Sequence, residues 1–301
     1  MADYNQFKTV LEKHNIYYKQ NEPMSNHTSF KIGGCCDVVC YPNTIEKAKI
    51  VITKCSEFSF PYFVLGKGSN LLVCDDGFEG VAISSSYLNK IKLISKDEIY
   101  CESGVSLGAL CNFAFKNSLC GMEFAYGIPG TVGGAVFMNA GAYGGEIKDV
   151  ILSARHIDSK GNEKRLGFKD LDLSYRHSVY ENRDDFIVSA NFKLKEDDGA
   201  KIKARMDEVL SKRKQKQPLD FPSAGSTFKR PQNGFAAALI EQCGLKGLTV
   251  GGARVSEKHS GFIINIGNAT CKDVDELIEK VKHIVKDKTG VLLEPEVKRI
   301  G

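Results

Sequence analysis

At 301 residues, with 42% hydrophobic and 26% charged side chains, the chain has room for two or three domains and the makeup of a soluble globular protein. A net charge of +4 is mild; it suits an anionic small molecule and is too weak a field to argue for nucleic acid. Ten cysteines, none in a CxxC pair, read as reduced core thiols of a cytoplasmic protein, so neither a disulfide framework nor a metal site is expected, Cys35, Cys36 and Cys40 included.

In chain order, the opening MADYNQFKTVLEKHN carries charge throughout and no apolar core, so it is not read as an export signal. Residues 4–18 predict an amphipathic helix with Phe7, Val10, Leu11 and Ile16 on one face. Short strand-like runs follow to Ile83. Among them a glycine loop, Gly66-Lys67-Gly68-Ser69-Asn70, lies between the apolar runs 62–65 and 71–73. It is not a Walker A loop, because Gly68 follows Lys67, and not a dinucleotide fingerprint, because it returns to a strand.

A helix over 107–117 leads to the most informative segment, GIPGTVGGAVFMNAGAYGG, with seven glycines between 127 and 145 and no charge from Phe124 to Gly145. Backbone N–H groups in such a loop approach anions closely. Two glycine loops together fit a dinucleotide cofactor held on a fold other than the Rossmann type. The glycines, Pro129 and Asn139 argue against a membrane span.

Strands are predicted at 150–157 and 186–194, then a polar linker at 196–199. Residues 201–216 form a basic helix with seven Lys or Arg, read as a solvated face. Residues 271–289 are the clearest helix: Val274, Leu277, Ile278, Val281 and Val285 share a face, Thr270 is the N-cap and Gly290 the stop. The divisions expected are 1–84, 85–196 and 197–301.

Three segments set polar groups among turn formers: 174–178 with Arg176, 222–228 with Ser226, and 293–297 with Glu296. Taken singly, Arg176 is equally well a surface ion-pair partner, Ser226 a cap and Glu296 a solvent-facing strand residue. His177 and His259 have no second histidine or acid at ligand spacing and read as structural.

The blocks HTSFKIGG (27–34), LGKGSNLLV (65–73), GIPGTVGGAVFMNAGAYGGE (127–146), LSYRHS (173–178), SAGSTFKRP (223–231), GGARVSEKHSGFIIN (251–265) and LEPEVKRIG (293–301) occur in the order that marks one family. The chain resembles the UDP-N-acetylenolpyruvoylglucosamine reductases nearly end to end. The resemblance implies an α+β fold: a vanillyl-alcohol-oxidase-type FAD domain in two subdomains, plus a C-terminal α/β substrate domain. It implies noncovalent FAD on Gly66, Lys67, Gly68, Ser69, Asn70 and Leu71, and on Gly127, Ile128, Pro129, Gly130, Thr131, Gly133, Gly134, Asn139, Gly141, Ala142 and Gly144. The family's catalytic arginine falls on Arg176, its proton-donor serine on Ser226 and its catalytic glutamate on Glu296; substrate contacts fall on Tyr175, Lys216 and Arg230. Arg230 stands where some members have asparagine. NADPH is the implied hydride donor and the enolpyruvyl sugar nucleotide the acceptor, with no nucleic-acid or membrane partner and a monomeric state.

Only 50 positions separate Arg176 from Ser226, which leaves little room for the inserted tyrosine lid of the family's long type; the chain reads as the short type. An FAD-dependent oxidase of the same superfamily would share the glycine loops but not the Arg176, Ser226 and Glu296 set. A silent nucleotide-binding module would bind cofactor without turning over NADPH.

Overall fold

The computed structural model describes residues 4–232 and 234–301. The chain divides into two compact units, each assembled from separated stretches: 1–20, 37–67 and 80–212 in the first, 21–36, 68–79 and 213–301 in the second. Helices are labelled in chain order: α1 Asn5–Lys13, α2 Ile45–Glu57, α3 Leu107–Lys116, α4 Val132–Phe137, α5 Gly199–Lys216, α6 Ala236–Gln242 and α7 Cys271–Thr289.

The first unit holds a five-stranded antiparallel sheet in the order Glu163–Gly167, Ile151–Ile157, Phe186–Lys193, Glu98–Glu102, Ile91–Leu93. Alternation along these strands sends Ile99, Cys101, Ala154, Ala190 and Phe192 into one core with the buried faces of α3 and α4. A second core lies under α2, where Ala48, Val51, Ile52 and Cys55 meet Phe186 and Val188 of the same sheet. Strand Tyr62–Leu65 runs parallel to Phe78–Ser84 and ends at Gly66.

The second unit is built on a four-stranded sheet, Ser223–Ser226, Phe262–Asn265, Ala253–Val255, Thr249–Val250. Its core takes the apolar faces of α6 and α7, with Val274, Leu277 and Val281 fully buried. Helix α7 keeps the predicted bounds because its ends are chemically fixed. Thr270 and Asp273 form a reciprocal capping box, and Gly290 closes the helix at φ +75°. Within this unit Lys298–Ile300 pairs in parallel with Leu71–Val73.

Two expectations change. Helix α1 stops at Lys13, not at 18, because Asn15 turns left-handed at φ +51° and the chain re-enters as strand Tyr17–Pro23. The 196–199 segment is not a free linker: Lys195 and Glu196 pair with Cys120 and Leu119, and Gly199 already opens α5. Arg205 of α5 then reaches Asp197 at 2.6 Å and Glu123 at 2.8 Å. The basic face of α5 is solvated except at Arg213, which is buried; Lys203 pairs with Asp207 and Lys212 with Glu208 one turn away.

Candidate functional site

In the first unit the glycine segment and the Arg176 turn are fastened together. Ser174 and His177 exchange backbone hydrogen bonds at 3.2 Å, closing a tight turn in which Arg176 has φ +52°. Asn139 and Tyr143 are also left-handed, at +42° and +51°. Non-glycine residues held in this region cluster where the surroundings dictate geometry. The Arg176 guanidinium donates to the Gly141 carbonyl at 3.2 Å and lies 5.2 Å from the ring centroid of Tyr175, itself exposed. Ser178 Oγ donates to the Phe137 carbonyl at 2.7 Å, fixing the other end of the turn.

Asn139 is the keystone of this arrangement. It is fully buried; its amide donates to Glu146 at 2.6 Å and to the Ser174 carbonyl at 2.8 Å, and its oxygen accepts the Lys148 N–H at 2.9 Å. Its side chain is therefore committed to holding the loop rather than turned toward a ligand. Several N–H groups of the segment are also used internally: Gly130 bonds Ile128, Val132 bonds Val105, Gly133 bonds Ser103, and Gly134 bonds the Thr131 hydroxyl. Gly133 serves close approach, since a Cβ there would lie 2.9 Å from the Ser103 Cβ.

A polar group does stand open near these loops. Ser103 Oγ, among the described residues, is completely buried without a partner. Buried polar groups are rarely left unpaired unless a ligand or water meets them. Ser103, in the run ESGVS before α3, is a candidate the motif reading missed; its signal was a serine and a glycine placed just ahead of a capped helix.

The second unit gathers a different set. Ser226 ends the strand that pairs with Phe262–Asn265, at a register irregularity that includes Gly225. The next residue, Thr227, accepts the Glu296 N–H at 2.7 Å through its carbonyl, and Lys229 N–H bonds the Glu294 carbonyl at 2.8 Å. The Ser226 and Glu296 segments thus run side by side. The Asn70 amide donates to the Glu296 carbonyl at 3.1 Å, and the Lys298 N–H bonds the Asn70 carbonyl at 2.9 Å. Gly68 is dictated by packing: at φ +58°, its Cβ would fall 2.1 Å from the His27 carbonyl oxygen. The HTSFKIGG block is pinned in the same unit, with Ser29 Oγ donating to the Ser223 carbonyl at 2.6 Å and Asn265 to the Phe30 carbonyl at 3.1 Å. Lys216 is exposed at the end of α5, and Arg230 lies 4.7 Å over the Phe235 ring.

The histidines behave as structural groups, with one correction. An acid does stand at close spacing to His177: Glu181 is 2.8 Å from Nδ1 and Asp172 3.2 Å from Nε2. Those hydrogen bonds, Glu181 first, raise His177 above its ordinary pKa. His259 is lowered chiefly by burial, against the Phe262 ring. Among the described residues no group of three histidines, cysteines or acids gathers as a metal set, and no helix is long and apolar enough to cross a membrane. Tyr180, the tyrosine between 177 and 215, is completely buried beside His156, so that stretch brings no aromatic lid to the surface.

A family model for an FAD binding domain matches residues 36–167, and one for the UDP-N-acetylenolpyruvoylglucosamine reductase C-terminal domain matches 217–300. The chain is 51% identical over 294 residues to the UDP-N-acetylenolpyruvoylglucosamine reductase of Clostridium novyi, covering 98% of this chain and 95% of that one.

The chain belongs to the UDP-N-acetylenolpyruvoylglucosamine reductase family.

The reductase of Caldanaerobacter subterraneus is 46% identical over 297 residues, covering 99% of this chain and 97% of the relative. A crystal structure of the Thermus caldophilus reductase superposes with a TM-score of 0.81 at 32% identity, over 95% of this chain and 99% of that one. The α+β reading, with an FAD-binding domain and a C-terminal reductase domain, therefore holds. Arg176 lies in the turn of the first unit, and Ser226 and Glu296 lie on adjoining segments of the second.

Proposed function

We infer that the chain reduces the enolpyruvyl group of UDP-N-acetylenolpyruvoylglucosamine to the lactyl ether of UDP-N-acetylmuramate, a step in making peptidoglycan precursors. The observation that carries this is the pairing of family membership across the whole chain with the Thr227–Glu296 backbone tie, next to Ser226, in the second unit and the Arg176–Gly141 tie in the first. The orphan hydroxyl of Ser103, whose backbone carbonyl holds the Gly133 N–H, fits a noncovalently held FAD, whose phosphates and ribitol supply acceptors and donors.

FAD, when bound, supplies two-electron chemistry that joins NADPH oxidation to reduction at C3 of the enolpyruvyl carbon pair. The protein's part concerns C2, which gains carbanion character delocalised into the carboxylate. Arg176 stabilises that charge, and protonated Glu296 hydrogen-bonds it. Ser226 delivers the proton to C2; an alcohol is a weak acid in water but suffices against a carbanion in place. Tyr175, Lys216 and Arg230 contact the substrate, the two cations through the diphosphate. The protein works in the cytoplasm as a monomer.

The test separates the two half-reactions. NADPH should bleach the bound flavin, and the enolpyruvyl sugar nucleotide should restore its colour. In Ser226→Ala the first step proceeds normally and the second slows at least ~10²-fold. A colourless protein that takes up no FAD overturns the flavoenzyme reading; two unaltered half-reactions in Ser226→Ala overturn the role of the serine alone.

A further inference from the structure

Two of the ten cysteines, both in the second unit, lie beside the strand pairing that supports the Glu296 segment. Cys74 follows the strand Leu71–Val73 and is half-buried; Cys271 opens α7 and is buried. Their approach is fixed by the backbone. Asp75 Oδ1 accepts the Cys271 N–H at 2.8 Å and Oδ2 the Lys272 N–H at 3.1 Å, which clamps the start of α7 onto the residue after Cys74. Cys74 is held in turn by its N–H to the Ile300 carbonyl at 2.8 Å and by its carbonyl accepting the Gly34 N–H at 2.9 Å. Cys74 packs against the apolar cluster that contains Cys271.

The pair has charged company. The Cys271 thiol donates to Asp275 Oδ2 at 3.7 Å, and Arg299 Nε lies 3.4 Å from the same carboxylate. Arg299 precedes Ile300, whose carbonyl accepts the Cys74 N–H. A half-buried thiol, a buried thiol in the core it packs on, and a carboxylate on the buried thiol form the arrangement that a stepwise dithiol oxidation needs.

We propose that Cys74 and Cys271 are a redox-modification site, oxidised by hydroperoxides to an intramolecular disulfide. The Cys74 sulfur attacks one peroxide oxygen; the O–O bond breaks, water leaves, and Cys74 becomes a sulfenic acid. The Cys271 sulfur then attacks the Cys74 sulfur, an S–S bond forms and the S–O bond breaks. Asp275 takes the Cys271 proton and returns it to the departing hydroxide as water. In balance, two thiols lose two hydrogens and one hydrogen peroxide becomes two waters. The disulfide would join the strand Leu71–Val73 to the first turn of α7, next to the parallel pairing that supports the Glu296 segment.

The test uses the FAD-loaded protein with hydrogen peroxide, followed by unreduced peptide mapping. The expected product is a Cys74–Cys271 cross-link reversible by dithiothreitol. Cys271→Ser should stop at a Cys74 sulfenic acid, trapped by dimedone, and Cys74→Ser should give neither product. Asp275→Asn should slow disulfide formation at least ~10-fold while leaving the first oxidation of Cys74 unchanged. Exposed Cys35 is the internal standard. If Cys35 oxidises fully with no Cys74–Cys271 cross-link, the proposal fails; an unslowed cross-link in Asp275→Asn overturns the part given to Asp275.

Discussion

Asn139→Ala tests whether one buried amide sets the Arg176 turn. The substitution removes a charge-assisted hydrogen bond to Glu146, strips the partner from the Lys148 N–H and takes one of two donors from the Ser174 carbonyl, which keeps the His177 N–H. A buried group left unpaired costs about 1–3 kcal/mol. Ser174 is exposed, so its carbonyl recovers a water and stands at the low end. Alanine at φ +42° adds about 1–2 kcal/mol of backbone strain. Together the loss is roughly 3–5 kcal/mol. Asn139→Gly removes the same hydrogen bonds without the strain, so it should lose about 1–2 kcal/mol less. Urea denaturation of the three proteins, followed by near-ultraviolet circular dichroism, measures the differences. Since Ser174 opens the turn carrying Arg176, reoxidation of the flavin by substrate should slow in both variants. An alanine variant within about 1 kcal/mol of wild type, with glycine no better, would refute the reasoning.

Glu296→Gln keeps a hydrogen-bond donor and should retain much more activity than Glu296→Ala in steady-state assays; equal losses would rule out a donor role. Glu181 and Asp172 raise the His177 pKa, so its stabilising contribution is whole below ~6.5 and is lost as pH rises through the raised folded value. Burial lowers His156 despite Asp185 at 3.3 Å, so its contribution is whole above ~6.5 and is lost as pH falls. Melting temperatures across pH should therefore lose their alkaline slope in His177→Gln, and an unchanged profile would contradict this. Substrate affinity should weaken as salt rises, because exposed Lys216 and Arg230 are screened; calorimetric titration at low and high ionic strength showing equal affinity would count against an open, ion-held diphosphate site.

Much of the site was legible in the sequence where chemistry is local. The α7 bounds follow from Thr270, Asp273 and Gly290, which cap a helix wherever it packs. The loop after Leu65 was readable from glycines between two apolar runs, and the basic face of α5 from its charge spacing. Family blocks in order carried Arg176, Ser226 and Glu296, although each residue alone was ambiguous. What the sequence left undecided depended on partners distant along the chain. Nothing local in AYGG or NAG says that Asn139 is spent on Ser174 and Lys148, or that glycines 130, 133 and 134 use their N–H groups inside the fold. His177 gained Asp172 and Glu181 only once the turn closed. Cys74 and Cys271, almost two hundred positions apart, became neighbours because Asp75 clamps the first turn of α7. Capping and periodicity act over a few residues and can be read directly. Hydrogen-bond partners across long loops are chosen by the packed core, whose entropy cost only the complete tertiary structure offsets.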